Sequence, residues 1–209
     1  MILASASPAR LRTLDDAGID ADVIVSGVDE SSVDATQPEV LSLVLARMKA
    51  EAVVERLRTS GYGTSGAKDP ANALVLGCDS VLYLDGKILG KPADAADATE
   101  RWRAMRGNEG VLHTGHCLIS TATGVHAEAS ARTIVRFADI SDDEIAAYVD
   151  SGEPLHVAGA FTIDGLGSPF VSSIEGDHGT VVGLSMPLLR TLLAKHGIGV
   201  TDLWRHPAG

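Results

Sequence analysis

Asp79 follows the apolar run Ala73 to Cys78 without a break, which predicts a carboxylate at the end of a buried strand. Strand ends are where α/β enzymes commonly expose reactive groups, and a carboxylate there can hold Mg²⁺ or Mn²⁺ or take a proton from water. An aspartate bonded to its own turn backbone leaves the same local signature. Glu30, in the acidic loop Val28-Asp29-Glu30-Ser31-Ser32, is a candidate second carboxylate for a metal. Asp29 and Asp34 compete with it, and a merely solvated loop is the plainer alternative.

The segment Ser5-Ala6-Ser7-Pro8-Ala9-Arg10 places hydroxyls and a guanidinium where a strand turns into a helix N-terminus. Backbone N–H groups and the positive helix end attract anions there, so Ser5, Ser7 and Arg10 can form a phosphate cradle, or simply an N-cap beside a solvated arginine. Gly86 to Pro92 has the outline of a P-loop, but it is one residue short between the glycines and carries Pro92 where a metal-binding Ser or Thr is needed. It is therefore not a Walker A motif. Lys91 can still point its charge at a phosphate, because Gly90 and Pro92 restrict the backbone on both sides. His113-Thr114-Gly115-His116-Cys117 invites a zinc reading, yet on a strand His113 and His116 face opposite sides and His116 adjoins Cys117. The chain has no Gly-x-Ser-x-Gly elbow, which argues against a serine hydrolase.

These residues need elements to position them. Ile2 to Ala4 reads as a short buried strand, Ser7 as an N-cap, Pro8 as the first helical residue and Gly18 as the stop. Asp22 to Ser26 is strand-like, and Pro38 to about Arg58 has the apolar spacing of a helix, which carries Lys49. Thr59 to Asn72 is a Gly- and Ser-rich loop. Strand character resumes at Val81 to Leu84, and Asp85-Gly86 predicts a hairpin turn. A helix is expected over Asp94 to Met105, paired strands over Leu112 to Ser120 and Val125 to Phe137, and a capped helix from Ser141-x-x-Glu144 to near Gly152. The last third predicts strand, Gly-rich turn and strand around Ala158 to Ile174, then a helix over Pro187 to Lys195. Helices alternate with strands and hairpins, so the expected class is α/β with a mixed sheet, in a single domain over 1–209.

Composition limits the function. A net charge of −11 argues against a nucleic acid polymer as partner, since such binding needs an extended basic surface. It also means that a phosphate-bearing ligand requires cations gathered locally. The apolar runs are shorter than the roughly 20 residues that cross a bilayer, so no membrane association is expected. The first ten residues lack the basic-then-apolar pattern of a secretory signal, and two cysteines in strand contexts suit a reduced cytoplasm.

Taken in order, Leu3 to Arg10, Ala46-Arg47-Met48-Lys49-Ala50, Gly77-Cys78-Asp79-Ser80, Leu89-Gly90-Lys91-Pro92, Ser151-Gly152-Glu153-Pro154, Ala158-Gly159-Ala160-Phe161 and Val182-Gly183-Leu184 resemble the Maf family of nucleotide pyrophosphatases. The resemblance runs from Leu3 to Leu189. It implies an elongated mixed sheet flanked by helices, with two lobes around a cleft. It also implies a divalent metal, a homodimer, and hydrolysis of nucleoside triphosphates between the α and β phosphorus atoms. By position it makes Asp79 the proton acceptor and a metal ligand, Glu30 a supporting catalytic carboxylate and metal ligand, and Ser7, Arg10, Lys49 and Lys91 phosphate contacts. Ser5 joins that cradle, and Ser80 and Asp164 fall on the base side of the substrate.

Three departures stand out. Ala9 occupies the first of two positions where the family often carries arginines. Ser80 and Asp164 stand where members preferring dTTP and UTP have Thr and Gln, and the chain also differs from members that look like 7-methyl-GTP enzymes, so no base preference carries over. Gly110 replaces a usual His. Two other functions are compatible with the same motifs: a non-catalytic nucleotide-binding regulator of cell division and septum formation, and a nucleotidyl or phosphoryl transferase. The first needs the cations but not the carboxylates; the second needs an acceptor other than water.

Overall fold

The computed structural model describes residues 1–33, 35–60 and 70–205. Among them a seven-stranded sheet runs in the order β2(Asp22–Val23), β1(Ile2–Leu3), β3(Leu74–Leu84), β5(Glu109–Ser120), β6(His126–Phe137), β7(Val171–Glu175), with β4(Lys87–Leu89) also on β3. The sheet is mixed as expected: β1 is parallel to β2 and β3, and the remaining pairs are antiparallel. No helix among the described residues is long and apolar enough to cross a membrane.

Local chemistry sets most element boundaries. Asp85 and Gly86 both have positive φ, at 46° and 78°, which is the two-residue turn that matches strand twist and closes the β3–β4 hairpin. Helix α4(Asp142–Asp150) starts at a complete capping box between Ser141 and Glu144. Helices α1(Pro8–Asp16), α3(Ala95–Met105) and α6(Met186–Lys195) begin at the N-caps Ser7, Asp94 and Ser185. Helix α2(Pro38–Ser60) is the long helix of the chain's first third, and it runs past the expected loop start at Thr59. Most of that loop, and Asp34, lie outside the described residues.

The expected strand pair around Ala158 to Ile174 is half right. Val171–Glu175 is a strand, but 153–170 forms short 3-10 turns, with Gly159 at φ 72°. Glycines and Pro154 favour turns over a ladder there. A short helix, α5(His178–Val182), follows β7. The strand expected over Asp22 to Ser26 keeps only its first two residues.

Asp79 is not at the end of its strand. β3 is continuous through it, and Asp79 pairs with Gly115 of β5. Its access comes from the other edge of β3, where β1 stops opposite Leu76 and β4 begins only opposite Leu82. Between those points the edge of β3 has no strand neighbour. This gap divides the molecule into two lobes that share one sheet.

On the near side of the gap, α2 covers one face through Ala46, Ala50, Val53 and Val54, while α1 and α6 cover the other through Leu14, Leu189, Leu192 and Leu193. On the far side, α3 and α4 pack on Leu82, Leu112 and Phe137 around Trp102, which is fully buried and donates its indole N–H to the Ala160 carbonyl at 2.8 Å. Phe137, Tyr148 and Phe170 meet Trp102 edge-on at centroid distances of 5.4 to 5.8 Å. Trp102, Phe137 and Tyr148 are buried and Phe170 partly so, and a fully buried ring contributes about 1.5–3 kcal/mol.

Helix α2 can lie close enough to the sheet only because two residues beneath it have no side chain. A Cβ on Gly77 would fall 2.1 Å from the Ala46 carbonyl oxygen, and one on Gly115 would fall 2.2 Å from that of Ser42. That close approach brings Lys49 down to Asp79. Cys78 and Cys117 lie on opposite faces of the sheet, because Cys117 is opposite Gly77 and side chains alternate along a strand. The same alternation puts His113, opposite Val81, and His116, opposite Cys78, on opposite faces.

Candidate active site

The gap along β3 widens into a cleft of about 1140 Å³. Ser5, Ser7, Arg10, Glu30, Lys49, Asp79, Ser80, Lys91 and Asp164 all line it, so these residues share one space.

At its floor, Lys49 Nζ lies 2.5 Å from Asp79 Oδ1 and 2.7 Å from Glu30 Oε1. Asp79 and Lys49 are buried, whereas half of the Glu30 side chain is exposed. Asp29 does not compete for this place: its Oδ1 caps the 3-10 turn Glu30–Ser32, accepting from Ser31 N and Oγ. The turn thereby swings the next side chain, Glu30, toward α2. Burial pushes the Asp79 carboxyl up, and Lys49 and then Arg10 pull it down; Glu30 adds a smaller upward push, and the balance leaves it above its ordinary 3.8. Such a carboxylate is a better proton acceptor than an exposed aspartate.

Arg10 forms one wall. Its Nε donates to the Gly183 carbonyl at 2.8 Å, Nη1 to Ser5 Oγ at 3.1 Å and the Cys78 carbonyl at 2.8 Å, and Nη2 to Ser80 Oγ at 3.1 Å. The Cys78 carbonyl needs that donor, because it lies on the edge of β3 beyond the end of β1. Four of the five guanidinium N–H groups are thus engaged, which leaves one for a substrate oxygen. Arg10 is less a free phosphate clamp than the brace of the wall. The serines serve the same brace: Ser5 Oγ accepts from Ser7 N at 3.2 Å and Ser7 Oγ from Arg10 N at 3.4 Å.

Ser80 points its proton away from the cleft. Thr114 Oγ1 donates to the Thr180 carbonyl at 2.8 Å, so the proton between Ser80 and Thr114, 2.9 Å apart, comes from Ser80. Ser80 Oγ can offer a substrate only a lone pair.

Across the cleft, the turn bearing Lys91 is held from outside. Arg101 donates to the Gly90 carbonyl at 2.7 Å and the Lys91 carbonyl at 3.4 Å, and Gly159 N donates to Gly90 O at 3.0 Å. Lys91 itself is exposed, with its ammonium available to a charged ligand. Asp164 stands on the loop after Thr162 and pairs with Arg12 of α1 at 3.4 Å.

Arg12 and Glu153 line the cleft without having been singled out by sequence. Arg12 is two residues from Arg10, about 200° around a helix, so spacing alone puts them on different faces. The signal for Glu153 was its place in Ser151-Gly152-Glu153-Pro154, an acidic residue directly after a helix end.

No group of three or more His, Cys, Asp or Glu among the described residues is arranged to hold a metal ion. Asp79 and Glu30 form a pair that already shares one cation, the Lys49 ammonium. Two carboxylates completed by substrate oxygens and water suit Mg²⁺ or Mn²⁺, which are usually bound that way, rather than zinc.

The Maf-like protein family matches residues 1–196 of the chain. A nucleoside triphosphate pyrophosphatase of Salinispora tropica is 61% identical over 204 residues, spanning 98% of this chain and 87% of the relative. Its counterpart in Streptomyces coelicolor is 57% identical, spanning 98% and 94%. One from Nostoc punctiforme is 48% identical, spanning 98% and 97%.

Proposed function

This chain belongs to the Maf family, and from that premise we propose that it hydrolyses nucleoside triphosphates to the monophosphate and pyrophosphate, with water attacking the α-phosphorus. The observation that carries the mechanism is the buried Asp79–Lys49 pair, joined by Glu30, at the floor of a cleft walled by cations.

Asp79 takes a proton from the attacking water. The water oxygen bonds to the α-phosphorus, the bond from that phosphorus to the bridging oxygen breaks, and pyrophosphate leaves with the electron pair. Asp79 and Glu30 would hold a divalent cation, Mg²⁺ or Mn²⁺, which when bound neutralises triphosphate oxygens and withdraws electrons from the phosphorus. Lys49 sits where it can hold either a carboxylate or a phosphate oxygen, and Lys91 meets the departing pyrophosphate from the opposite wall. The last N–H of Arg10 reaches the phosphates with the helix end that Ser7 caps. Asp164 is the acceptor offered to the base.

A pure binder would gain nothing from a buried carboxylate that must be neutralised by Lys49 before it can face an anion. That favours hydrolysis over the regulatory reading. We place the enzyme in the cytoplasm, where the buried thiols of Cys78 and Cys117 stay reduced, and assign it a homodimer, which sedimentation would check.

The test is a panel of common and modified nucleoside triphosphates with Mg²⁺ or Mn²⁺, resolving monophosphate from diphosphate products, with and without a chelator. Release of orthophosphate, or hydrolysis unaffected by chelation, would overturn the corresponding part.

A further inference from the structure

Glu153 opens the 3-10 turn after α4, and its carboxylate is ringed by donors from the loop that carries Asp164. Oε1 accepts from Thr162 Oγ1 at 2.6 Å, Tyr148 Oη at 3.0 Å and Gly167 N at 3.1 Å, and Oε2 accepts from Leu166 N at 3.0 Å. Tyr148 Oη also accepts from Thr162 N at 3.2 Å, so the phenol and the carboxylate grip both ends of the loop. The loop closes tightly over the carboxylate: a Cβ on Gly165 would lie 2.4 Å from Oε2. Burial opposes the charge of Glu153, but the hydrogen bonds from Thr162, Leu166, Tyr148 and Gly167 outweigh it and hold the carboxyl below its ordinary value. At neutral pH it is an anion caged by its own backbone.

Asp164 lies within this loop and lines the cleft. Its own ion pair with Arg12 is 3.4 Å long and exposed, with 65% of the Arg12 side chain open to solvent. Exposed pairs of this kind are weak, so that contact does not hold the loop. The position of Asp164 is therefore set from beneath, by Glu153.

We infer that Glu153 is a positioning residue for recognition of the base: it anchors the loop 162–167 so that Asp164 faces the cleft as a fixed acceptor for a base N–H. The inference rests on the reading of the cleft as a nucleoside triphosphate site. Glu153 has no part in the chemistry at Asp79, which stands on a different element and against a different helix. Its loss should loosen the grip on the base and leave the rate of the bound complex nearly intact.

The experiment compares wild type with Glu153→Gln and the milder Tyr148→Phe, each checked for folding by circular dichroism. The amide of Gln turns its N–H groups toward donors that now need an acceptor, and Phe keeps the ring while removing the phenol. For the preferred triphosphate, KM should rise about tenfold in Glu153→Gln and less in Tyr148→Phe, with kcat within about threefold of wild type, the cost of one charge-assisted hydrogen bond. The spread of kcat/KM across the four common bases should narrow. Hydrogen exchange of the Leu166 and Gly167 amides should quicken in both variants.

Unchanged KM and base preference in a folded variant whose loop amides do exchange faster would overturn the inference, as would a fall in kcat alone. If Glu153→Gln does not fold, Tyr148→Phe decides by the same two readings. Wild-type protein that neither binds nor cleaves any triphosphate would overturn the reading of the cleft and this inference with it, a result distinct from a variant that simply matches an active wild type.

Discussion

Lys49 Nζ stands 2.5 Å from Asp79 Oδ1 and 2.7 Å from Glu30 Oε1, so a single ammonium joins the two carboxylates at the floor of the cleft. A divalent cation held there would serve the same electrostatic need as the lysine, and a triphosphate arriving with one would give Lys49 a new anion to hold.

Asp79→Asn keeps the shape of the floor but cannot take a proton. Pyrophosphate release should fall about 10²- to 10⁴-fold, the usual worth of a general base, while nucleotide affinity measured by calorimetry holds or tightens because a negative charge is gone. Wild-type-like turnover would remove Asp79 from its role.

Lys49→Met should move the acid limb of the pH–rate profile. Burial raises the Asp79 carboxyl and Lys49 is the leading group that lowers it, so losing the ammonium lets it rise further. In the proposed role the active form is the carboxylate, so activity should begin to fail at a higher pH than in wild type. An acid limb that stays in place or moves down would contradict the assignment.

His116 should make the fold sensitive to acid. Its ring is buried, with Nδ1 against the Thr114 carbonyl at 3.0 Å and Nε2 accepting from Ser185 N at 2.9 Å, an arrangement that needs the neutral ring. Burial, and then Arg10, pushes its pKa from 6.5 to about 4. The unfolded chain binds that proton first, so the contribution is whole above pH 6.5 and is lost as pH falls through about 4. At about 1.4 kcal/mol for each pH unit, the loss is about 3 kcal/mol. Denaturant melts of wild type and His116→Gln across this window should show the steeper fall in wild type, from a higher starting stability.

Gly115→Ala tests the seat of α2. The added methyl would meet the Ser42 backbone at 2.2 Å, so the helix must lift. Stability should drop by about 1–3 kcal/mol or more, and activity should drop with it, since Lys49 rides on that helix. A variant with lowered stability and full activity would show that Lys49 has slack.

Much of the fold was legible because it is written in neighbouring residues. Asp85-Gly86 forces a hairpin, Ser141 and Glu144 cap a helix reciprocally, and Ser7-Pro8 starts another. Asp79 and Lys91 could be read as candidates from residue type and local setting, and Lys49 from its place in the order of the family's motifs. Whether Asp29 or Glu30 meets Lys49 was not legible, because it depends on a cap that turns one side chain inward and spends the other. The turns over 153–170 were hidden for a related reason: their backbone is held by short-range turn bonds such as Ala160 N to the Val157 carbonyl and by the Glu153 carboxylate, which accepts from Leu166 N and Gly167 N, rather than by a ladder.

Asp79 marks the division between the two levels. The chain itself determined that a carboxylate would follow an apolar strand and that cations would be available to accompany it. Only the tertiary structure decided how that carboxylate is reached. It lies in mid-strand, reached from the cleft because β1 ends at Leu3, opposite Leu76, and β4 pairs with β3 only from Leu89, opposite Leu82; it is met by Lys49 because Gly77 and Gly115 let α2 lie against the sheet. A gap between two strands and the depth of a helix are properties of packing among distant residues, and no local pattern records them.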